Sequence, residues 1–197
     1  DSRSHKVRMF KNDGTFISSF GSKGVSEGQF DAPWGLTVDY DGKVYVADFN
    51  TDRVQKFSAD GKFEAQIGRP GNKRGDLSGP TDVAVDPDGD IYVCDWSANR
   101  WDRGKVHIFT PEGQFLTALV GDAQKLSQWA QMTVDANDDY GKRRREVRST
   151  EPEWTFAQPT AVEWDTANNR LMVADTQRSR LQIYKKTSDY LVPQLNL

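Results

Sequence analysis

One short phrase recurs three times in this chain: Val44-Tyr45-Val46-Ala47-Asp48, Ile91-Tyr92-Val93-Cys94-Asp95 and Leu171-Met172-Val173-Ala174-Asp175. Each copy is followed five residues later by an arginine, Arg53, Arg100 and Arg180. Self-similarity at a fixed period constrains a fold more than any local propensity, because it demands an array of identical supersecondary units that stack on one another. The phrase itself is rich in β-branched and aromatic residues and ends on a turn-forming aspartate, which is how a short strand reads.

Extending outward from the phrase recovers the whole unit. From Pro33 the chain reads Gly35 to Asp39, Asp41-Gly42, Val44 to Asp48, Arg53 to Phe57, Asp60-Gly61 and Phe63 to Gly68. Those are four apolar runs separated by turns, and the Asp-Gly pairs supply positive φ at little cost and so favour tight hairpins. The spacing predicts a four-stranded antiparallel meander. A second copy runs over about 81–121, with Asp88-Gly89 and Glu112-Gly113 at its turns, and a third over about 160–192, closing on a weaker strand near Tyr190. Ahead of them, residues 6–21 match only the second half of a unit. Units of about 40 to 50 residues with four strands each predict blades of an all-β propeller, about three and a half of them, in a single domain spanning 1–197 with the blades at 6–21 (half), 34–68, 81–121 and 160–192.

These positions, a proline, a strand ending in Asp, Asp-Gly, Val-Tyr-Val-Ala-Asp, Arg-Val-Gln-Lys-Phe, Asp-Gly, Phe and Gly, resemble the NHL-repeat family, and prokaryotic members in particular. The resemblance implies a propeller of mostly six blades, and so predicts that this chain is the C-terminal part of a longer ring. Upstream blades or a second copy of the chain would complete it. Repeat units cannot bury their apolar faces alone.

The period breaks between Gly121 and Pro159. Leu126, Trp129, Ala130 and Thr133 fall at i, i+3, i+4 and i+7, and Tyr140 to Val147 continues a helical spacing around Lys142, Arg143, Arg144 and Arg145. This predicts a helical insertion over about 122–158, with a degenerate blade begun at Met132-Thr133-Val134-Asp135 as the rival reading. The net charge of −3 argues against a general nucleic-acid binder, and no apolar run is long enough to span a membrane. The single cysteine, Cys94, occupies the place of Ala47 and Ala174 and reads as a small buried strand residue. The sequence leaves localisation open.

In a meander the connections alternate between two faces of the disc. The tight Asp-Gly turns fall on one face, and the long connections at 22–32, 69–79, 97–105 and after Gly121 fall on the other. Function concentrates on irregular loops held by a rigid scaffold, so the long-loop face is the expected binding surface for a protein or small-molecule ligand. Trp34, Arg69, Arg74, Asp82, Trp96, Arg100, Trp101 and Arg103, with Lys73, are the expected ligand-binding residues, aromatics and arginines being favoured in recognition surfaces. The recurrent Asp48, Asp95 and Asp175, with Arg53 and Arg180 and the similarly spaced Arg100, read as structural, because a feature present in every blade belongs to the scaffold. The turn residues Asp39, Asp86 and Asp165 read the same way.

Propellers similar to this one include a peptide-amidating lyase that holds zinc with histidines, and calcium-dependent lactonases. Catalytic zinc takes about three protein ligands, whereas this chain has only His5 and His107, both at third-strand positions. Asp82 and Glu163 are the only hint of a calcium site. No catalytic residue, metal site or cofactor is therefore predicted, and calcium or zinc would require ligands from upstream blades. Some NHL propellers bind RNA through a basic face, for which Arg69, Lys73 and Arg74 and the 142–145 run are the only candidates. The expectation is a non-catalytic binding propeller, with an enzyme of the lyase or lactonase type as the alternative.

Overall fold

A computed structural model of the chain describes residues 1–97, 104–121 and 155–186, except for the side chain of Arg178. The described residues form thirteen strands in four antiparallel sheets. Strands β1 (Val7–Phe10) and β2 (Phe16–Phe20) make a two-stranded sheet. The next sheet is a complete blade, β3 (Pro33–Val38), β4 (Val44–Asp48), β5 (Arg53–Phe57) and β6 (Phe63–Ile67), paired in chain order. A second complete blade follows in β7 (Pro80–Val85), β8 (Ile91–Asp95), β9 (Lys105–Phe109) and β10 (Phe115–Leu119). The third contributes β11 (Pro159–Asp165), β12 (Arg170–Asp175) and β13 (Arg180–Lys185). Its expected fourth strand near Tyr190 lies outside the described residues.

The repeat is written into the hydrogen bonds. In the two complete blades the aspartate that follows the first strand folds its carboxylate back: Asp39 Oδ1 accepts the amides of Asp41 and Lys43 at 3.0 and 2.8 Å, and Asp86 Oδ1 accepts those of Asp88 and Asp90 at 2.9 and 3.0 Å. The other oxygen takes the hydroxyl of the repeated tyrosine, Tyr45 at 3.1 Å and Tyr92 at 2.9 Å. The carboxylate thus fixes the turn and anchors the second strand in one step.

At the opposite face the aspartate that closes the phrase clasps the incoming loop. Asp48 accepts the Asp31 amide at 2.7 Å, Asp95 the Ser78 amide at 2.9 Å, and Asp175 the Ala157 and Gln158 amides at 3.1 and 3.2 Å. All three carboxylates are buried. Arg53 and Arg180 sit opposite Asp48 and Asp175 in the ladder and extend the clasp, donating to the carbonyls of Ser26 and Gln29 and of Thr155. In the second blade the residue opposite Asp95 is Lys105, not Arg100, because the connection from β8 to β9 is longer there. Five residues of spacing alone therefore placed Arg100 wrongly in the repeat register, and Arg100 itself lies outside the described residues.

A further repeated pair escaped the sequence reading. Gly21, Gly68 and Gly121, all at positive φ, end the fourth strands, and a Cβ on any of them would run into Phe30, Leu77 or Phe156, three residues before each blade's proline. Phe30, Leu77 and Phe156 are fully buried. Most of the helical insertion expected over 122–158 lies outside the described residues. Its last four, Thr155–Gln158, resume the blade pattern instead of a helix, with the Phe156 amide on the Val120 carbonyl at 2.8 Å.

Packing follows the blades. One core joins Tyr45, Ala47, Val54 and Ile67 of the first complete blade to Val83, Val85, Ile91 and Val93 of the next. A second joins Tyr92, Cys94 and Val106 to Val162, Trp164 and Val173. A third sets Val7 and Phe20 against Val44, Val46 and Phe57. Each sheet thus buries one face against each neighbour, as stacked repeats must. Cys94 is fully buried, as its alanine counterparts suggested, and burial pushes its thiol pKa up. Among the described residues no helix is long and apolar enough to cross a membrane.

Candidate binding face

Among the first strands of the three blades, β7 packs against both β3 and β11. Their opening residues share one register: Trp34, Thr81 and Thr160, then Gly35, Asp82 and Ala161. Around them lies a cleft of about 410 Å³, lined by Trp34, Gly35, Thr81, Asp82 and Thr160 together with Asp1 and Ser2. First strands begin where the long loops end, so this cleft opens at the long-loop end of the central strands.

Beside the cleft three aromatic rings gather. Trp34 stacks on Phe49 with centroids 4.4 Å apart, and Trp96 leans against both at 5.6 and 5.7 Å. Phe49 and Trp96 are the residues immediately after the repeated aspartates Asp48 and Asp95, and their amides bond Ala32 and Gly79 in the same way. That shared position is what a reading of the sequence could have used to add Phe49 to the group. About half of the Trp34 surface is exposed, and the Trp96 indole Nε1 is buried with no hydrogen-bond partner among the described residues.

Asp82 bridges two blades at the floor of the cleft. Its Oδ1 accepts the Val83 amide and its Oδ2 accepts the Val162 amide of the next first strand, each at 3.0 Å. Gly35 makes the close approach of β3 possible, since a Cβ there would collide with the Asp82 carboxylate and backbone. Burial raises the Asp82 pKa to about 6, with the nearby Glu163 charge adding to the rise and the two amides opposing it. Both carboxylate oxygens are engaged by backbone amides, which ties Asp82 to the architecture of the central strands. Among the described residues no group of three or more His, Cys, Asp or Glu side chains could hold a metal ion.

The arginines of the 69–79 loop lie elsewhere. Arg69 and Arg74 line a separate concavity of about 300 Å³ with Gln66, Asp76, Phe109 and Phe115. Arg69 Nε bonds Asp76 Oδ1 at 2.9 Å, and the Arg74 guanidinium sits 5.9 Å from the Phe115 ring centroid. These loop residues do not share the central cleft with Trp34 and Asp82. Of the two histidines expected on third strands only His107 is on one, in β9, where its Nε2 lies 3.4 Å from Asp95 Oδ2; His5 sits in the turn before β1, at φ +55°, and its Nδ1 accepts the Ala32 amide at 3.2 Å. Arg100, Trp101 and Arg103 lie outside the described residues.

Comparison with known proteins agrees with this architecture. The NHL repeat family model matches residues 30–57 and 77–100, that is, through the third strand of the first complete blade and a few residues past the second strand of the next. No curated protein matches. Among solved structures, virginiamycin B lyase from Staphylococcus aureus superposes with a TM-score of 0.50 at 12% identity, covering 93% of this chain and 50% of that one. The dihydro-heme d1 dehydrogenase NirN superposes with a TM-score of 0.57 at 13% identity, covering 95% of this chain and 31% of that one. This chain therefore spans half or less of the length of these structures, and at such identity the likeness is one of fold alone. The two matched repeats, the four-stranded antiparallel blades and the fold of these neighbours together show a β-propeller fold that carries NHL repeats.

Proposed function

We propose that this chain is a non-catalytic binding module that recognises a protein or small-molecule ligand at the long-loop end of its central strands. The observation that carries the reading is the group formed by Trp34, Phe49 and Trp96 beside the polar cleft. A half-exposed tryptophan stacked on a second ring offers a large, rigid apolar contact at small entropic cost. The cleft next to it holds the Thr160 hydroxyl and the Asp82 carboxylate, both partly exposed, at fixed positions. Apolar anchors beside a few placed polar groups are what small-ligand sites combine.

The test is a thermal-shift screen of the purified chain against aromatic small molecules and peptides containing Trp, Tyr or Phe, repeated on Trp34→Ala and on the double variant Arg69→Ala/Arg74→Ala. The expected ligand loses about tenfold or more in affinity in Trp34→Ala, as removal of a central aromatic anchor does, and keeps its affinity in the arginine pair. A ligand lost only in the arginine pair would move the site to the outer concavity. Stoichiometric zinc or calcium in the purified protein would instead favour an enzyme.

A further inference from the structure

Two connections between blades share one backbone plan and differ in charge. In 22–30 the amides of Gly24 and Gln29 bond the carbonyls of Phe30 and Ser26 at 3.1 Å each, and in 69–77 those of Gly71 and Asp76 bond the carbonyls of Leu77 and Lys73 at 3.4 and 3.1 Å. The bracing side chain keeps its place as well: Gln29 Oε1 accepts the Ser26 amide at 3.2 Å, and Asp76 Oδ2 accepts the Lys73 amide at 3.0 Å. In this register Ser22, Ser26 and Glu27 become Arg69, Lys73 and Arg74, while Lys23 becomes Pro70. The segment 22–30 is neutral, with Lys23 against Glu27, whereas 69–77 sets Arg69, Lys73 and Arg74 against Asp76 alone.

Arg69 and Arg74 line the concavity of about 300 Å³ where the end of β6 meets β10 of the next blade. Gly75, at φ +83°, brings the loop against β10, since a Cβ there would meet the Phe115 side chain at 2.7 Å. With the backbone held this close, the Arg74 guanidinium lies 5.9 Å from the Phe115 ring centroid. Asp76 cannot neutralise both arginines. Its Oδ1 takes Arg69 Nε at 2.9 Å and its Oδ2 takes the Lys73 amide. Arg74 meets no carboxylate among the described residues, and Arg69 bonds through Nε alone, with 70% of its side chain exposed. The adjoining turn adds the exposed Glu112 beside Gly113, which still leaves cations in excess.

We infer that this concavity is a binding site for a phosphate monoester, gripped by the guanidinium forks of Arg69 and Arg74 where two blades meet. A guanidinium presents paired N–H groups that match phosphate oxygens, and packing on a ring restrains it at little entropic cost. A monoester carries close to two negative charges at neutral pH, so it answers the excess of cations better than a single carboxylate does. The half-buried Phe115 ring offers the organic part of the ester an apolar surface. Because the lining comes from two blades, the bound ester also ties their outer edges together and stabilises the folded chain by mass action. This site is separate from the central cleft, so its failure leaves the aromatic reading of that cleft standing.

The experiment titrates phenyl phosphate into the purified chain at neutral pH, with benzoate and phenol as the singly charged and neutral comparisons. Calorimetry reads the affinity, and the thermal midpoint reads the stabilisation. Phenyl phosphate is expected to bind about tenfold or more tightly than benzoate, and phenol not at all. Arg74→Ala removes no hydrogen bond among the described residues, and is expected to keep the unliganded midpoint while losing about tenfold or more in affinity. Arg69→Lys keeps a cation beside Asp76 but loses the fork, and is expected to weaken binding as well. Trp34→Ala is expected to leave it unchanged. No binding at millimolar concentration, equal affinity for benzoate, or full affinity in Arg74→Ala would each overturn the inference. So would single-stranded RNA lacking a terminal phosphate that binds more tightly than phenyl phosphate through the same arginines, since the site would then read an internal phosphodiester.

Discussion

Asp82 shows how one side chain can hold a site together at a cost that depends on pH. Its carboxylate joins β7 to β11 through two amides, but burial dominates and lifts its pKa to about 6. A carboxyl whose folded pKa exceeds its unfolded value near 3.9 binds more protons in the native state across that interval. Stability from this group is therefore complete at low pH and falls as pH rises from about 4 to about 6, by up to about 3 kcal/mol at 1.36 kcal/mol per unit. Asp82→Asn removes the titration. Urea denaturation from pH 3.5 to 7 is expected to give a difference between native and variant stability that changes steeply within that window and is flat above it. A constant difference across the range would contradict the assignment. Other carboxyls do not confuse the comparison, because Asp48 and Asp52, also raised chiefly by burial, are present in both proteins.

At the level of elements, what a sequence can disclose depends on whether the signal repeats. The strands of the two complete blades fall where the alternation of apolar runs and Asp-Gly turns predicted them, since hairpin turns and strand faces are local. The glycine of each fourth strand and the Phe or Leu it shelters, three residues before the next proline, repeat just as faithfully but pair across a long loop, so only coordinates join them. The separation of Arg69 and Arg74 from Trp34 and Asp82 was unreadable for the same reason: two loops can share a face of the disc without sharing a cleft. Lys105 taking the place expected for Arg100 shows that a count of residues fails when a loop changes length. The aspartate clasp is the element whose worth can be measured. Asp95 accepts the amides of Ser78 and Ser97 at 2.9 Å each in a buried setting. Asp95→Ala leaves both donors without their acceptor and is expected to lower stability by about 2 to 3 kcal/mol by equilibrium denaturation. A loss under about 0.5 kcal/mol would remove the clasp from the account of blade stability.

Across the whole molecule, stability in a stacked array is set by interfaces between neighbours, so the ends and the middle cannot be equal. The blade β7–β10 has a core on each side, shared with β3–β6 before it and with β11–β13 after it. It is also tied to the end of β13 by Lys186, whose Nζ reaches Asp86 at 2.5 Å and Asp88 and Asp90 at 2.8 Å. The sheet β1–β2 has one covered face, a free inner edge among the described residues, and Phe10, Phe16 and Ile17 about half exposed. Local opening should therefore proceed from the β1 end inward, with amides of β8 exchanging only through global unfolding and those of β1 through fraying that costs far less. Native-state hydrogen exchange in rising denaturant checks this directly. Amides of Tyr92 and Val93 are expected to follow the global denaturant slope, while those of Val7 and Arg8 exchange with a shallow slope at the lowest opening energy. Uniform slopes through all four sheets would mean that the array unfolds as one cooperative body.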